Sequence, residues 1–198
     1  MRGMIIAAVL ALGACGQQAT QRETEEAQAV AASSALDLSI GPGGAAGISS
    51  ALPMSVEAVR AAAANYSVTE IEGQAEGDTY RAITLSAGGA EVFRLMPTTD
   101  ATRVHGIVTT SPRARGPAGE VIGETLFGVA PPEQVAFCIA QIVDAAPGFA
   151  CSASEGGSFW RVYRLPEGAA PSVAFADIEP DLLHDSMLAE MRWIAPRV

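Results

Sequence analysis

Lysine is absent from this 198-residue chain. All 12 basic residues are arginine, and 22 acids outnumber them, for a formal net charge of −10. Such an acidic surface excludes nucleic acid and anionic headgroups as partners held by charge alone. Histidine is scarce as well. His105 and His184 stand 79 positions apart, so no His-x-x-x-His pair and no histidine near a nucleophile elbow exists. Three cysteines are present, with no Cys-x-x-Cys spacing, which leaves a thioredoxin-like redox pair and a thiol zinc cluster without their parts. No apolar run approaches the roughly 20 residues that a helical membrane span needs.

What is present begins at the amino terminus. Arg2 precedes an apolar stretch from Met4 to Leu12, and Leu12-Gly13-Ala14-Cys15 follows. At about nine residues, that stretch is too short to span a bilayer and has the form of a secretory signal. Leucine at minus three, two small residues and then cysteine resemble a bacterial lipobox. The expectation is cleavage before Cys15, lipid on its sulfur and an acylated new terminus. Several buried acyl chains, at ~0.8 kcal/mol per methylene, hold a protein to a membrane stably. Gly16, rather than an acid, points to the outer membrane, with the chain facing the periplasm from the inner leaflet. Loss of Arg2 with the signal leaves 11 arginines against 22 acids, a net charge of −11.

Residues 1–14 are therefore read as signal peptide and 15–35 as a tether. Gln17 to Ala35 is rich in Gln, Glu, Ala, Thr and Ser, with no hydrophobic period. Residues 36–198 make one domain, long enough to bury a core. With Cys15 lipidated, Cys138 and Cys151 remain. In an oxidising periplasm, flanked by apolar residues, they are expected to pair, a staple worth roughly 3 kcal/mol for a loop of this size.

The segments that follow are mostly strands. Val56 to Ala64 reads as a helix with Ser55 as N-cap. Tyr66–Ile71, Tyr80–Leu85, Glu91–Leu95 and Arg103–Thr110 alternate, and Ser86-Ala87-Gly88-Gly89 marks a hairpin turn. Ser111 to Gly119 is a Pro/Gly loop. Pro131-Pro132 opens either a short helix through Ile142 or a strand around Cys138. Ala150–Ser152 and Ser158–Leu165 read as strands, and Pro180 starts a helix over Asp181–Glu190 with Trp193 in a closing strand. The fold class expected is α+β: an antiparallel, strand-rich sheet with two or three short helices.

Few residues carry recognisable chemistry. The run Gly41–Gly47 lacks the Lys-Ser/Thr pair of a phosphate loop and reads as plain loop. Asp177, Glu179, Asp181 and Asp185 lack EF-hand spacing and suit a helix terminus. No metal, cofactor or catalytic residue is expected. Phe159–Arg164 interleaves aromatics with arginines; as a strand it sends Trp160, Val162 and Arg164 one way and Phe159, Arg161 and Tyr163 the other. Arg113 and Arg115, on the Pro/Gly loop, are the candidate contact surface.

The chain resembles a family of small envelope lipoproteins, the sigma-E-regulated lipoproteins with a domain of unknown function. The resemblance rests on the lipobox, Ile40–Ile48 leading to Pro53 and the Val56–Ala64 helix, and Tyr66-Ser67-Val68. It extends to Val108–Pro112, Ile122–Thr125, the cysteine pair and Met191–Ile194. It implies an α+β fold and an envelope role, with no assigned activity. The function expected is a lipid-anchored, non-catalytic binding or accessory module, whose partner is a protein or cell-wall component. An alternative is a periplasmic inhibitor of a cationic hydrolase such as a lysozyme; an enzyme built around a histidine pocket comes third.

Overall fold

Alternating side chains build most of the chain into one sheet. A computed structural model describes residues 36–49, 52–75, 78–171 and 174–195; the signal, Cys15 and the tether at 15–35 lie outside them. A small hairpin, β1 (Ile40–Gly41) with β2 (Gly44–Ala45), precedes helix α1 (Val56–Ala62). Then come β3 (Ser67–Ala75), β4 (Asp78–Ala87), β5 (Ala90–Pro97) and β6 (Val104–Thr109). A long connection leads to β7 (Phe137–Val143), β8 (Ala146–Ser152) and β9 (Phe159–Arg164), and helix α2 (Pro180–His184) precedes β10 (Met187–Ile194). The eight strands of the large sheet run β3-β4-β5-β6-β10-β9-β8-β7, every pair antiparallel. Two four-stranded meanders thus meet at the single non-sequential pairing, β6 with β10.

The architecture is largely β, which corrects the α+β expectation: the antiparallel sheet is there, but among the described residues the helices are two short pieces and three 3-10 turns at Phe127–Val129, Pro132–Gln134 and Phe175–Asp177. Helix α1 starts as expected, with Ser55 Oγ accepting from the Ala58 amide at 3.2 Å. Helix α2 does begin on Pro180, yet it stops at His184, and the residues expected to continue it to Glu190 enter β10. Its apolar residues Leu188 and Met191 suit a helix by spacing. Pairing with β6 on one side and β9 on the other overrides that propensity, with a bulge between Leu188 and Glu190 keeping both on one face. After Pro131, one 3-10 turn forms and Phe137–Val143 becomes a strand, settling the alternatives left open there.

Two turns show how the meanders reverse. Gly88 and Gly89 both have positive φ, 61° and 80°, which a two-residue hairpin turn with the right twist requires. Between β7 and β8 the same demand falls on Asp144 and Ala145, at 47° and 63°.

Register divides the side chains cleanly. Ile83, Leu95, Ile107, Trp193 and Phe159 form a row of direct cross-strand partners on one face, and all are buried. The β1–β2 hairpin, a residue just after α1 and two of the 3-10 turns pack on this face. The Trp193 indole donates to Pro42 O at 2.9 Å, fastening the β1–β2 hairpin. That hairpin needs glycine at 44, where a Cβ would lie 1.9 Å from Ile48 O. Tyr66, just after α1, packs on Phe93 with ring centroids 6.0 Å apart. Phe127 and Phe175, from two of the 3-10 turns, stand edge-on to Phe149 at 5.1 and 5.2 Å.

A second row on the covered face runs Thr109, Met191, Arg161, Cys151, Cys138, and the last two are bonded as a disulfide. The cysteine pairing expected from the sequence is present, between residues directly opposite one another on β7 and β8.

Candidate functional site

On the other face of the sheet the 153–158 turn reaches Trp160, whose Nε1 donates to Gly157 O at 2.8 Å, and Val143, Ala150 and Val162 are buried beside it. The central row of this face is Thr84, Arg94, Val108, Arg192, Trp160 across β4, β5, β6, β10 and β9. Beside it runs Met96, Gly106, Ile194. From these rows Arg94, Val108, Arg192, Met96, Gly106 and Ile194 line a groove of about 350 Å³, together with Tyr80, His105 and Glu190. Its lining comes from strands alone, and it is mostly apolar.

Three local features shape this groove. Gly106 leaves its floor without a side chain, since a Cβ there would lie 2.8 Å from Trp193 O and 3.3 Å from Ile194 Cδ1. Tyr80 lies across Gly73 of the neighbouring strand, where any Cβ would meet the ring at 2.4 Å. The irregularity between Met96 and Pro97 puts Gly106 opposite Met96 but Val104 opposite Pro97, so β6 bulges at His105.

The arginines are held in place by acids on their own strands. Arg94 Nη2 lies 2.9 Å from Glu91 Oε1, and Arg192 bonds Glu190. In a chain of net charge −10, a hollow bearing Arg94, Arg192 and His105 beside apolar Met96, Val108 and Ile194 is a local departure. It offers an apolar floor flanked by the guanidinium groups of Arg94 and Arg192 beside the Glu190 carboxylate, a lining that suits a small amphiphile carrying an anionic group. A broader hollow of about 940 Å³ adjoins it at Ile194, lined by Glu155–Ser158, Trp160 and Ala195.

The residues singled out from sequence lie elsewhere. Arg113 and Arg115 are exposed, but both are used by the fold. Arg113 Nη1 donates to Ala87 O at 2.5 Å, bracing the β4–β5 turn. Arg115 Nη1 donates to Pro112 O and Ala114 O at 2.7 and 2.9 Å, while its backbone pairs with Leu38 and Ile40. The structure does not bring this loop to the groove. His184 is also apart: it sits on α2 with Nδ1 2.8 Å from Asp185 Oδ1, over Gly128. Asp181 occupies the first turn of α2, Asp185 caps its end, and Glu179 at the N-cap makes no side-chain capping bond. No group of three or more His, Cys, Asp or Glu among the described residues could hold a metal ion.

A buried ion pair was missed by the sequence reading. Arg161 Nε donates to Glu120 Oε1 at 2.6 Å, and the two side chains are 4% and 6% exposed. The Arg161 guanidinium also bonds the Gln134 side chain, donates to Gln134 O at 3.3 Å and stacks over Phe159 at 4.7 Å. Glu120 Oε2 accepts from the Ala118 amide at 2.7 Å. The fan of donors satisfies both charges and pins the long β6–β7 connection to the sheet. The facing of Arg161 is as its strand alternation predicts; its partner, 41 residues away, carries no local signal. Nearby Tyr163 is buried with its hydroxyl unpartnered among the described residues, and burial pushes its pKa up to about 12. Tyr66 is pushed up to about 12 as well, first by burial and then by Asp37.

An antiparallel β domain with a groove on one face of its sheet is the class these observations define. No family model matches the chain, and no curated protein matches it. Among solved structures it is similar to the uncharacterized protein YfeY from Escherichia coli, with a TM-score of 0.55 and 20% identity over 79% of this chain and 99% of that one. At that identity the likeness is one of fold.

Proposed function

We propose that this chain is a lipid-anchored bacterial envelope protein, acylated at Cys15, whose domain binds rather than catalyses. The anchor reading is supported by Leu12-Gly13-Ala14-Cys15 after a short apolar core, and by the resemblance to sigma-E-regulated envelope lipoproteins. In the outer membrane the acyl chains hold the domain at the periplasmic surface of the inner leaflet. No helix of the described residues is long and apolar enough to cross a membrane.

The observation that carries the binding reading is the groove on the sheet. Its ligand is a small amphiphile with an apolar body against Met96, Val108 and Ile194 and an anionic group toward Arg94, Arg192 and His105. Titration with a fluorescent fatty acid tests this. Saturable binding is expected, weakened about tenfold or more by Arg192→Glu or by Met96→Asp, a difference of ~1.4 kcal/mol. Equal binding by wild type and both variants would remove the groove from consideration.

A further inference from the structure

The two edges of the large sheet are built differently. At one edge β3 exposes Glu70 and Glu72, charges that deter another strand from pairing. At the other, β7 reads Phe137-Cys138-Ile139-Ala140-Gln141-Ile142-Val143, with no charge, no proline and an unbroken register to β8. Among the described residues, no backbone hydrogen bond outside the β7–β8 ladder reaches it. Ile139 is 45% exposed on the groove side of the sheet and Ile142 61% exposed on the covered side, two of the four large exposed apolar residues. Gln141 Nε2 is a buried donor with no partner among the described residues. Uncharged, straight, apolar edges of this kind are what soluble sheets avoid unless something pairs with them.

We infer that β7 is a homodimer edge, where a second copy of this chain adds its own β7 antiparallel and continues the sheet. Charge selects the occupant. Two copies at −10 repel over most of their surfaces, and β7 is the edge strand along which they approach with no charged residue in contact. A basic partner would be drawn to the Glu70/Glu72 edge instead. The segment is also self-complementary about a two-fold axis at Ala140. Phe137 then faces Val143 of the second copy, Cys138 faces Ile142, and Ile139 faces Gln141. Asp144, just past the strand, is already paired with Arg164 at 2.5 Å.

Sedimentation of the purified full chain in detergent micelles, across a concentration range, tests the inference. A monomer–dimer equilibrium is expected, dispersed by Ile139→Lys with Ile142→Lys and retained by Ile71→Lys on β3. Both isoleucines are exposed, so the double variant keeps the wild-type far-UV circular dichroism. Hydrogen exchange on the wild type gives a second readout: β7 amides gain protection as concentration rises. A monomer at every concentration up to ~1 mM overturns the inference. So does a dimer that survives the double lysine variant, or β7 protection that ignores concentration.

Discussion

The two meanders share a topology and differ in how their covered faces are closed. Over β3–β6 the cover is α1, with the β1–β2 hairpin seated on β10 at the junction, and the buried residues are apolar: Ile83, Leu85, Phe93, Leu95, Ile107. Over β7–β10, the cover is the irregular 111–135 connection and a run of 3-10 turns. There the sheet face supplies Arg161, the Cys138–Cys151 bridge and an aromatic cluster of Phe149 and Tyr163 with Phe127 and Phe175. An amphipathic helix presents a stripe that packs by pattern. A turn-rich segment has no stripe and exposes backbone, so specific anchors fix its position instead. The groove lies on the opposite face, lined by strands of both meanders.

The largest expected break is Arg161→Ala, which strands Glu120 as a buried, uncompensated charge and costs about 3–5 kcal/mol in urea unfolding. Arg161→Met with Glu120→Leu should recover most of that loss, since apolar replacement of a whole buried pair is near neutral. A double variant as unstable as the single one would show that the charge is not the cause. Next comes Cys138→Ala with Cys151→Ala. The bridge spans 13 positions, so its removal costs about 3 kcal/mol, read as a lower urea midpoint.

Alkaline titration sharpens the comparison, because each meander has one buried tyrosine. Both tyrosines have folded pKa values raised from 10.0 to about 12. Their contribution is whole below pH 10 and is lost as pH rises toward 12, because the unfolded phenol ionises first. Tyr163→Phe and Tyr66→Phe each remove part of that alkaline loss. At neutral pH they differ: Tyr66 donates its hydroxyl to Asp37 O, so its change costs about 1 kcal/mol, whereas Tyr163→Phe is neutral or stabilising. The smallest effect is Arg81→Ala, which removes an exposed pair with Glu70 at 3.5 Å and shifts stability by less than about 0.5 kcal/mol.

The same contrast explains what was legible. The first meander alternates plainly and turns on Gly88-Gly89, so its strands could be placed from residues alone. In the second, the β7–β8 turn rests on Asp144 and Ala145 without glycine, and β7 is an uncharged run that fits strand or helix equally. The first half of β10, to Glu190, reads as helix because Pro180 is a true start signal and Leu188 and Met191 sit three apart, while Trp193 reads as strand or edge; the pairing with β6, some 80 positions back, is a tertiary fact. The groove was invisible for the same reason. Alternation puts Arg94 and Val108 each on some face, but only the β6–β10 register sets Arg192 beside them. The disulfide was legible because an expected oxidising compartment and an expected lipid on Cys15 leave one pairing, Cys138 with Cys151. The Arg113/Arg115 loop was chosen on composition, and its guanidiniums answer backbone carbonyls that no composition displays.

Envelope anchoring through Cys15 is the claim on which the functional reading most depends, and fractionation of a Cys15→Ser chain tests it most directly. Wild type should partition with membranes and carry acyl mass on its Cys15 peptide, while Cys15→Ser should be recovered in the soluble fraction without it. Continued membrane association of Cys15→Ser, or an unacylated wild-type Cys15, would contradict it.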